Sequence, residues 1–96
     1  MRNESSEDGW QAFIRLCSQF EKPEELKELF DLFFTFEEKE VMSKRHALIK
    51  ALLDEKMTQR EIAETVDVSI SKITRGSNAL KIISRHLREA LKKMMA

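Results

Sequence analysis

The 96-residue sequence predicts an all-α fold in one domain. Two glycines and one proline are too few for the many turns of an all-β chain. Charged residues make up 35 % of the chain, and the helix-favouring residues Leu, Ala, Glu and Lys are abundant. Apolar residues also recur every three or four positions, which is the spacing of amphipathic helices. All three observations favour helices over strands.

The first two helices are predicted from apolar spacing and from a proline. Residues 7–21 carry an apolar series at helical spacing, made of Trp10, Phe13, Ile14, Cys17 and Phe20. Cys17 is therefore expected in the core, and as the only cysteine it can form no internal disulfide. Pro23 and the two glutamates after it predict the start of the second helix, because proline and carboxylates are favourable there.

Four further helices are predicted from capping residues. They are expected to begin after Thr35, Thr58, Ser69 and Ser84. A glutamate follows three residues after each threonine, which completes the capping-box pattern. The third helix is expected to extend to about residue 54, the fourth to about residue 66, and the sixth to the end of the chain.

The charge of the chain is unevenly distributed, although 17 basic residues balance 17 acidic ones. Residues 1–40 carry 5 basic and 11 acidic side chains, for a net charge of −6. Residues 41–96 carry 12 basic and 6 acidic side chains, for a net charge of +6. The zero sum alone argues against a nucleic-acid partner, whereas the basic half favours one.

The sequence predicts a soluble protein of the cytoplasm with no membrane partner. No apolar run approaches the roughly 18 residues of a membrane span, and the first residues are polar and unlike a secretion signal. A single cysteine fits a reducing compartment.

The apolar residues near the start of the chain predict a homodimer. All six phenylalanines precede residue 37, and Leu32, Phe33 and Phe34 are consecutive. Because one face of a helix cannot bury three consecutive residues, we expect a second copy of the chain to cover them. The alternative is a monomer in which the long third helix wraps this segment.

Residues 58–78 have the layout of a helix-turn-helix. In its first helix Ile62 and Val66 face the core, and in its second helix Ile70 and Ile73 are the expected anchors. Asp67 occupies the turn position where glycine is usual, and aspartate tolerates the left-handed backbone conformation there.

The outer face of the second helix is basic. It carries Lys72 and Arg75 together with Ala79. A basic outer face is what entry into the major groove of DNA and phosphate contact require. The same charges are also compatible with a solvated helix face.

Two residues do not fit the pattern of their helices. Arg45 falls within the apolar stripe of the third helix, so its guanidinium either reaches water or meets an anionic or aromatic group. Gly76 either ends the fifth helix or allows a flat object to lie against the backbone beside Arg75.

The string ITRGSNALK at 73–81, with TQREIAETVDVSISK before it and Trp10 upstream, closely resembles the tryptophan-dependent repressor family. The ITRGSN string is the most specific part, and the resemblance runs from about Trp10 to the end. It implies one Trp-repressor-like domain over 1–96 and an intertwined homodimer with six helices per chain. The helix-turn-helix at about 59–82 would read DNA, and about 7–54 plus 85–96 would form the dimer core.

The resemblance also implies L-tryptophan as corepressor, with no other cofactor, no metal and no enzymatic activity. In the family two arginines sandwich the indole, and they match Arg45 and Arg75. The ligand residues carried over are Arg45, Arg75, Gly76, Thr35, Leu48 and Ala79, with the backbone carbonyls of Leu32 and Phe34 from the other copy. The DNA contacts carried over are Gln59, Arg60, Ile70, Ser71, Lys72, Thr74 and Lys81.

The sequence departs from the family pattern at the pocket and in the helix-turn-helix. Ala79 replaces a serine that helps to hold the ligand ammonium, and a lost hydrogen bond is worth about 0.5–1.5 kcal/mol. Lys72 stands where threonine is common. Asp67 and Ser69 replace glycines of the turn. Tryptophan affinity and operator sequence are therefore not carried over.

Other functions remain open at this point. One is a helix-turn-helix protein that binds DNA without a ligand or with a different aromatic ligand. Another is a helical dimerisation module whose basic segment docks an acidic protein. An enzyme is disfavoured because His46 and His86, both expected at the surface, have no nucleophile or metal-ligand cluster at usable spacing.

Overall fold

Helices make up the described chain apart from short connections. The computed structural model describes residues 6–96, with side chains from Asp8 onward. Its helices are α1 (Ser6–Cys17), α2 (Pro23–Phe33), α3 (Phe36–Asp54), α4 (Gln59–Val66), α5 (Ile70–Ile82) and α6 (Arg85–Met94). The described residues contain no strand, and the predicted all-α class with six helices is confirmed. None of the described helices has both the length and the apolar character that a membrane crossing requires.

The predicted starts of the helices agree with the structure, as do the predicted ends of α3 at Asp54 and of α4 at Val66, but two other predicted ends do not. Pro23 opens α2, and the hydroxyls that cap α4, α5 and α6 belong to Thr58, Ser69 and Ser84. The predicted end of α1 at residue 21 is wrong, because Gln19 and Phe20 donate to carbonyls only three residues back and so form turns. The last helix likewise ends at Met94, since Met95 leaves the helical conformation.

The chain divides into two compact units, of which the first ends at Thr35. The first unit contains α1 and α2, joined by aromatic contacts. Ring centroids lie 5.0 Å apart for Phe13 and Phe33 and 5.5 Å apart for Phe30 and Phe34. None of residues 8–35 is buried within the single chain, and Cys17, expected in the core, is half-buried there. Two helices alone have too little mass to cover their own aromatic side chains.

The second unit spans Phe36–Ala96 and contains the buried core. Leu48 and Ala51 from α3, Ile62 from α4 and Ile73 from α5 form one cluster. Ile62 and Ile73 are 1 % and 0 % exposed. This cluster holds the two helices of the helix-turn-helix against α3.

One predicted anchor of the helix-turn-helix is wrong. Ile70 is 51 % exposed, whereas Ile73 one turn later is fully buried. Ile70 is the first residue of α5, and the Cα–Cβ bond in a helix tilts toward the N-terminus. Its side chain therefore extends past the start of the helix and away from the core.

The turn between α4 and α5 has the predicted conformation. Asp67 ends α4 with φ 61° and ψ 55°, which lies in the left-handed region. Its backbone N–H donates to the carbonyl oxygen of Ala63 at 3.1 Å. At the other end of α5, the guanidinium of Arg88 in α6 donates to the carbonyl oxygen of Leu80. A left-handed residue thus ends α4, and a side chain of α6 hydrogen-bonds the last turn of α5.

Candidate ligand pocket and nucleic-acid interface

A pocket of about 540 Å³ lies in the second unit between α3, α5 and the turn that precedes α5. This volume is within the range of small-molecule sites. Five of the predicted ligand residues line it, namely Arg45, Leu48, Arg75, Gly76 and Ala79. The structure therefore brings residues from distant parts of the sequence into one pocket, since Arg45 and Ala79 are 34 positions apart.

The α3 wall of the pocket is a continuous helical stripe. Glu37, Val41, Lys44 and Leu48 recur at intervals of three or four residues, so they share one side of the helix. Leu48 is only 4 % exposed and forms the apolar base of this wall, whereas the charged side chains are exposed. The sequence predicts Leu48 at the site but not Glu37 and Lys44, although the same helical spacing indicates them.

The α5 wall is formed by one basic side chain per turn and two small residues. Lys72, Arg75, Gly76 and Ala79 follow each other at helical spacing. Lys72 was predicted only as a DNA contact, and the structure places it in the pocket wall as well. Asp67 and Val68 from the preceding turn complete this side.

Gly76 lies in the middle of α5 and does not end the helix. A Cβ atom at this position would lie 3.3 Å from Cδ1 of Leu52 and 3.4 Å from Cδ2 of Leu48. Both distances are short for carbon atoms in contact. The glycine therefore allows α5 to pack closely on α3.

Arg45 and Arg75 project from two different helices into the walls of the same pocket. Both side chains are exposed, and neither forms an ion pair with a carboxylate among the described residues. Their guanidinium groups consequently have donors and planar faces available for a small molecule.

An ion pair connects the two sides of the pocket. Nζ of Lys44 in α3 lies 3.4 Å from Oδ2 of Asp67 in the turn between α4 and α5. Both residues line the pocket.

Three further residues carried over for the ligand belong to the first unit. Leu32 is in α2, Phe34 follows its last residue, and Thr35 is next in the chain. The backbone N–H of Phe34 donates to the carbonyl oxygen of Phe30 at 2.9 Å. Leu32, Phe34 and Thr35 are not among the residues that line the pocket of the second unit.

The residues predicted to contact DNA all lie on the two helices of the helix-turn-helix, and all are exposed. They are Gln59, Arg60, Ile70, Ser71, Lys72, Thr74 and Lys81. The hydroxyl of Thr74 donates to the carbonyl oxygen of Ile70 at 3.1 Å, and Oγ of Ser71 lies 3.2 Å from Oγ of Ser69. The first turn of α5 therefore carries polar groups at fixed positions next to an exposed isoleucine.

The comparison with known families decides the identity of this fold. A family model described as "Trp repressor protein" matches residues 8–95. The chain belongs to the Trp repressor family. This confirms the resemblance seen in the ITRGSN string, which lies in α5 and includes both Arg75 and Gly76.

Relatives named "Trp operon repressor homolog" match nearly the whole chain. The protein of Chlamydia caviae is 50 % identical over 94 residues, which are 98 % of this chain and 93 % of that protein. The protein of Chlamydia trachomatis serovar D is 50 % identical over 93 residues, with 97 % and 98 % covered. That of Histophilus somni is 33 % identical over 87 residues, with 90 % and 81 % covered.

In this member of the Trp repressor family, the titratable residues outside the pocket form no metal centre in the described part of the chain. No three or more histidine, cysteine or acidic side chains are grouped there. The side chains of His46 in α3 and His86 in α6 are exposed, as expected.

Proposed function

We propose that this protein is a DNA-binding transcriptional repressor that is activated by L-tryptophan as corepressor and controls genes of tryptophan biosynthesis or uptake. One observation carries the proposal. Arg45 from α3 and Arg75 from the second helix of the helix-turn-helix line a single pocket. Guanidinium planes stack well on aromatic faces, so the two arginines can enclose an indole ring.

The remaining ligand contacts are those that the resemblance to the family implies. Arg75, assisted by Thr35, would pair with the carboxylate, and the buried Leu48 would contact the apolar ring. The carbonyl oxygens of Leu32 and Phe34 from the other copy of the chain would accept hydrogen bonds from the ammonium group. Gly76 would leave space at the ring edge, and Ala79 offers no hydrogen bond.

The ligand would act by fixing the position of the helix-turn-helix. In DNA-binding dimers of this kind, the two second helices enter successive major grooves about 34 Å apart. Tryptophan lies between α3 and α5 in the proposed site, so it would favour one placement of α5 relative to α3. To act as a switch, it must bind the DNA-competent arrangement more tightly than any other.

We also propose that the repressor is a homodimer in the cytoplasm. Leu32 is 79 % exposed, Phe33 50 % and Phe36 69 %, which is a large apolar exposure for a chain of 96 residues. A second copy of the chain would cover these side chains, with α1, α2, α3 and α6 in the dimer core and α4 and α5 as the DNA-reading heads.

The test is a DNA-binding measurement with and without L-tryptophan. Duplexes would first be selected from a random pool in its presence, and their affinities then measured by fluorescence anisotropy at one fixed salt concentration. We expect tighter binding with tryptophan. Equal affinities in both conditions would contradict the corepressor role.

Arginine variants assign the site. We expect Arg75→Ala to abolish the response to tryptophan, and Arg75→Lys to weaken it because lysine keeps the charge but loses the planar group. Arg85→Ala, which removes an exposed arginine of α6 that does not line the pocket, is the matched control. An unchanged response in Arg75→Ala would remove this residue from the site.

A second candidate is a repressor with a different aromatic ligand, which is favoured by one observation. Ala79 lines the pocket and cannot hydrogen-bond an ammonium group. Calorimetry with L-tryptophan and with indole-3-propionate, which lacks that group, separates the two candidates. Tighter binding of the propionate would favour the second. Complete absence of salt-dependent DNA binding would instead favour a protein-interaction module.

A further inference from the structure

We propose that Lys44 and Asp67 form a positioning contact that holds the helix-turn-helix against α3 and so sets the width of the ligand pocket. The pair joins Nζ of Lys44 to Oδ2 of Asp67 at 3.4 Å. It links α3 to the α4–α5 turn, in addition to the packing of Val68 on the core cluster, and both partners line the pocket. The proposal rests on the proposed function only for the identity of the ligand.

The backbone that carries the carboxylate of Asp67 has a defined conformation. The residue is in the left-handed conformation, and its N–H is bonded to the carbonyl oxygen of Ala63 at 3.1 Å. Glycine is the easiest residue to place in this conformation, and aspartate gains nothing from it sterically. The charge is therefore the property that distinguishes Asp67 from glycine in this turn.

The short side chain of Asp67 also lowers the entropic cost of the pair. Holding two long side chains in one geometry is a main reason why exposed ion pairs contribute little. Here only the lysine stem has to be ordered, because Asp67 has a short side chain on a fixed backbone. The side chain of Lys44 is 49 % exposed, whereas that of Asp67 is 91 % exposed, so the pair is of the solvent-exposed kind.

The position of the pair links it to the geometry of the pocket. Val68, directly after Asp67, packs against the core cluster and also lines the pocket. Arg75 lies in α5, the helix that begins directly after this turn. A contact that fixes the turn on α3 therefore fixes the distance between the wall that carries Arg45 and the wall that carries Arg75.

The pairing also decides which charges a ligand meets. Lys44 and Asp67 neutralise each other, and the remaining charged residues of the lining are three basic and two acidic ones, namely Arg45, Lys72, Arg75, Glu37 and Glu40. Loss of either partner would leave an additional uncompensated charge at the pocket and release the turn. In a protein whose competent state is partly populated, apparent ligand affinity falls with that population.

The test uses Lys44→Met, Asp67→Asn and the double variant. Methionine keeps much of the lysine stem, and asparagine tolerates the left-handed conformation, so each change removes a charge with little effect on local structure. Lys50→Met in α3 and Glu64→Gln in α4 are matched controls, since both residues are exposed and neither lines the pocket.

Two quantities are measured in each protein. The first is amide hydrogen exchange of α4 and α5 without ligand, and the second is the calorimetric affinity for L-tryptophan. We expect each single variant to accelerate exchange in these helices and to weaken tryptophan binding by about 1.4- to 5-fold, the range of exposed ion pairs. The double variant should be no worse than either single variant, and Lys44→Arg should behave like the parent.

The outcomes decide between positioning and mere proximity. Unchanged exchange in both single variants, or additive effects in the double variant, overturns the proposal. Unchanged tryptophan affinity in a protein that binds tryptophan overturns it as well. If the parent protein fails to bind tryptophan, the proposed function fails, while the exchange data still decide whether the pair holds the helix-turn-helix.

Discussion

In the proposed site, Ala79 stands where the resemblance to the family implies a serine, so one hydrogen bond to the ligand ammonium would be missing. It is exposed and lines the pocket between Arg75 and the end of α5. Its methyl group leaves one N–H of a bound ammonium group to water or to the carbonyl oxygens of the other copy. The residue should therefore set the strength of ligand binding without affecting where the ring lies.

We expect Ala79→Ser to increase the affinity for L-tryptophan by up to about tenfold, because a hydrogen bond contributes about 0.5–1.5 kcal/mol. Calorimetry measures the change. Indole-3-propionate is the control ligand, and its affinity should not change because it has no ammonium group. An equal gain for both ligands would show that the serine does not act through the ammonium.

For single residues, the sequence predicts which side chains lie at the site more reliably than it predicts why they are there. Arg45 and Gly76 do not fit the pattern of their helices, and both line the pocket. The reason for the glycine was nevertheless not predictable, because the contact with Leu48 and Leu52 depends on how closely α5 packs on α3. Likewise, the exposure of Ile70 depends on where the helix begins relative to the core, which apolar spacing does not specify.

The start of α4 has a complete capping box. The N–H of Glu61 donates to the hydroxyl of Thr58 at 3.1 Å, and the N–H of Thr58 donates to the carboxylate of Glu61 at 3.0 Å. The hydrogen bond from the backbone of Thr58, together with one from its side chain, lowers the pKa of Glu61 below its ordinary value of 4.5. The charged form of the Glu61 carboxylate is therefore stabilised in the folded protein relative to the unfolded chain.

The pKa of Glu61 predicts a pH-dependent contribution to stability. Because the folded-state pKa is the lower one, the contribution is present above 4.5 and is lost as the pH falls through the folded-state value. We expect Glu61→Gln to have a lower free energy of unfolding than the parent at neutral pH. The difference should shrink in acid, since glutamine can still accept the hydrogen bond but does not titrate.

Urea unfolding at several pH values and one protein concentration measures this difference. Glu64→Gln, an exposed carboxylate later in α4, is the control, and its difference from the parent should vary less with pH. A Glu61→Gln difference that stays constant from neutral pH to acid would contradict the prediction.

The contrast between helix starts and helix ends has a physical reason. A start is marked by a hydroxyl or carboxylate that satisfies N–H groups within three residues, so a local pattern reveals it. The end of α1 instead depends on backbone turns at Gln19 and Phe20, and no single side chain in the sequence predicts these turns. Contacts within the pocket are harder to predict from sequence patterns than helix starts are. The pairing of Lys44 with Asp67, for example, depends on how three helices pack together.

For the molecule as a whole, the two units differ in how much they bury. All fully buried hydrophobic residues among those described lie between Leu48 and Leu80 in the second unit. The first unit has an aromatic cluster centred on Phe13, but it leaves Trp10 57 % exposed and Leu32 79 % exposed. This distribution supports the proposal that α1 and α2 are covered by a second copy of the chain.

We expect the protein to sediment at twice its chain mass of 11.3 kDa, and Leu32→Asp to dissociate it. Burial of one leucine contributes about 1.5–3 kcal/mol, so loss of two should raise the dissociation constant at least ~100-fold. Lys27→Asp places the same carboxylate on α2 roughly 140° around the helix axis and is the control. Sedimentation of the parent as a single chain would contradict the dimer.

The exposed apolar surface of α1 and α2 has a consequence for how the abundance of this protein is controlled. If folding is completed by association, the folded fraction depends on total protein concentration and falls upon dilution. Chains that have not found a partner present their phenylalanines and Leu32 to proteases and chaperones. Synthesis rate would then set both how much repressor exists and how long each newly made chain survives.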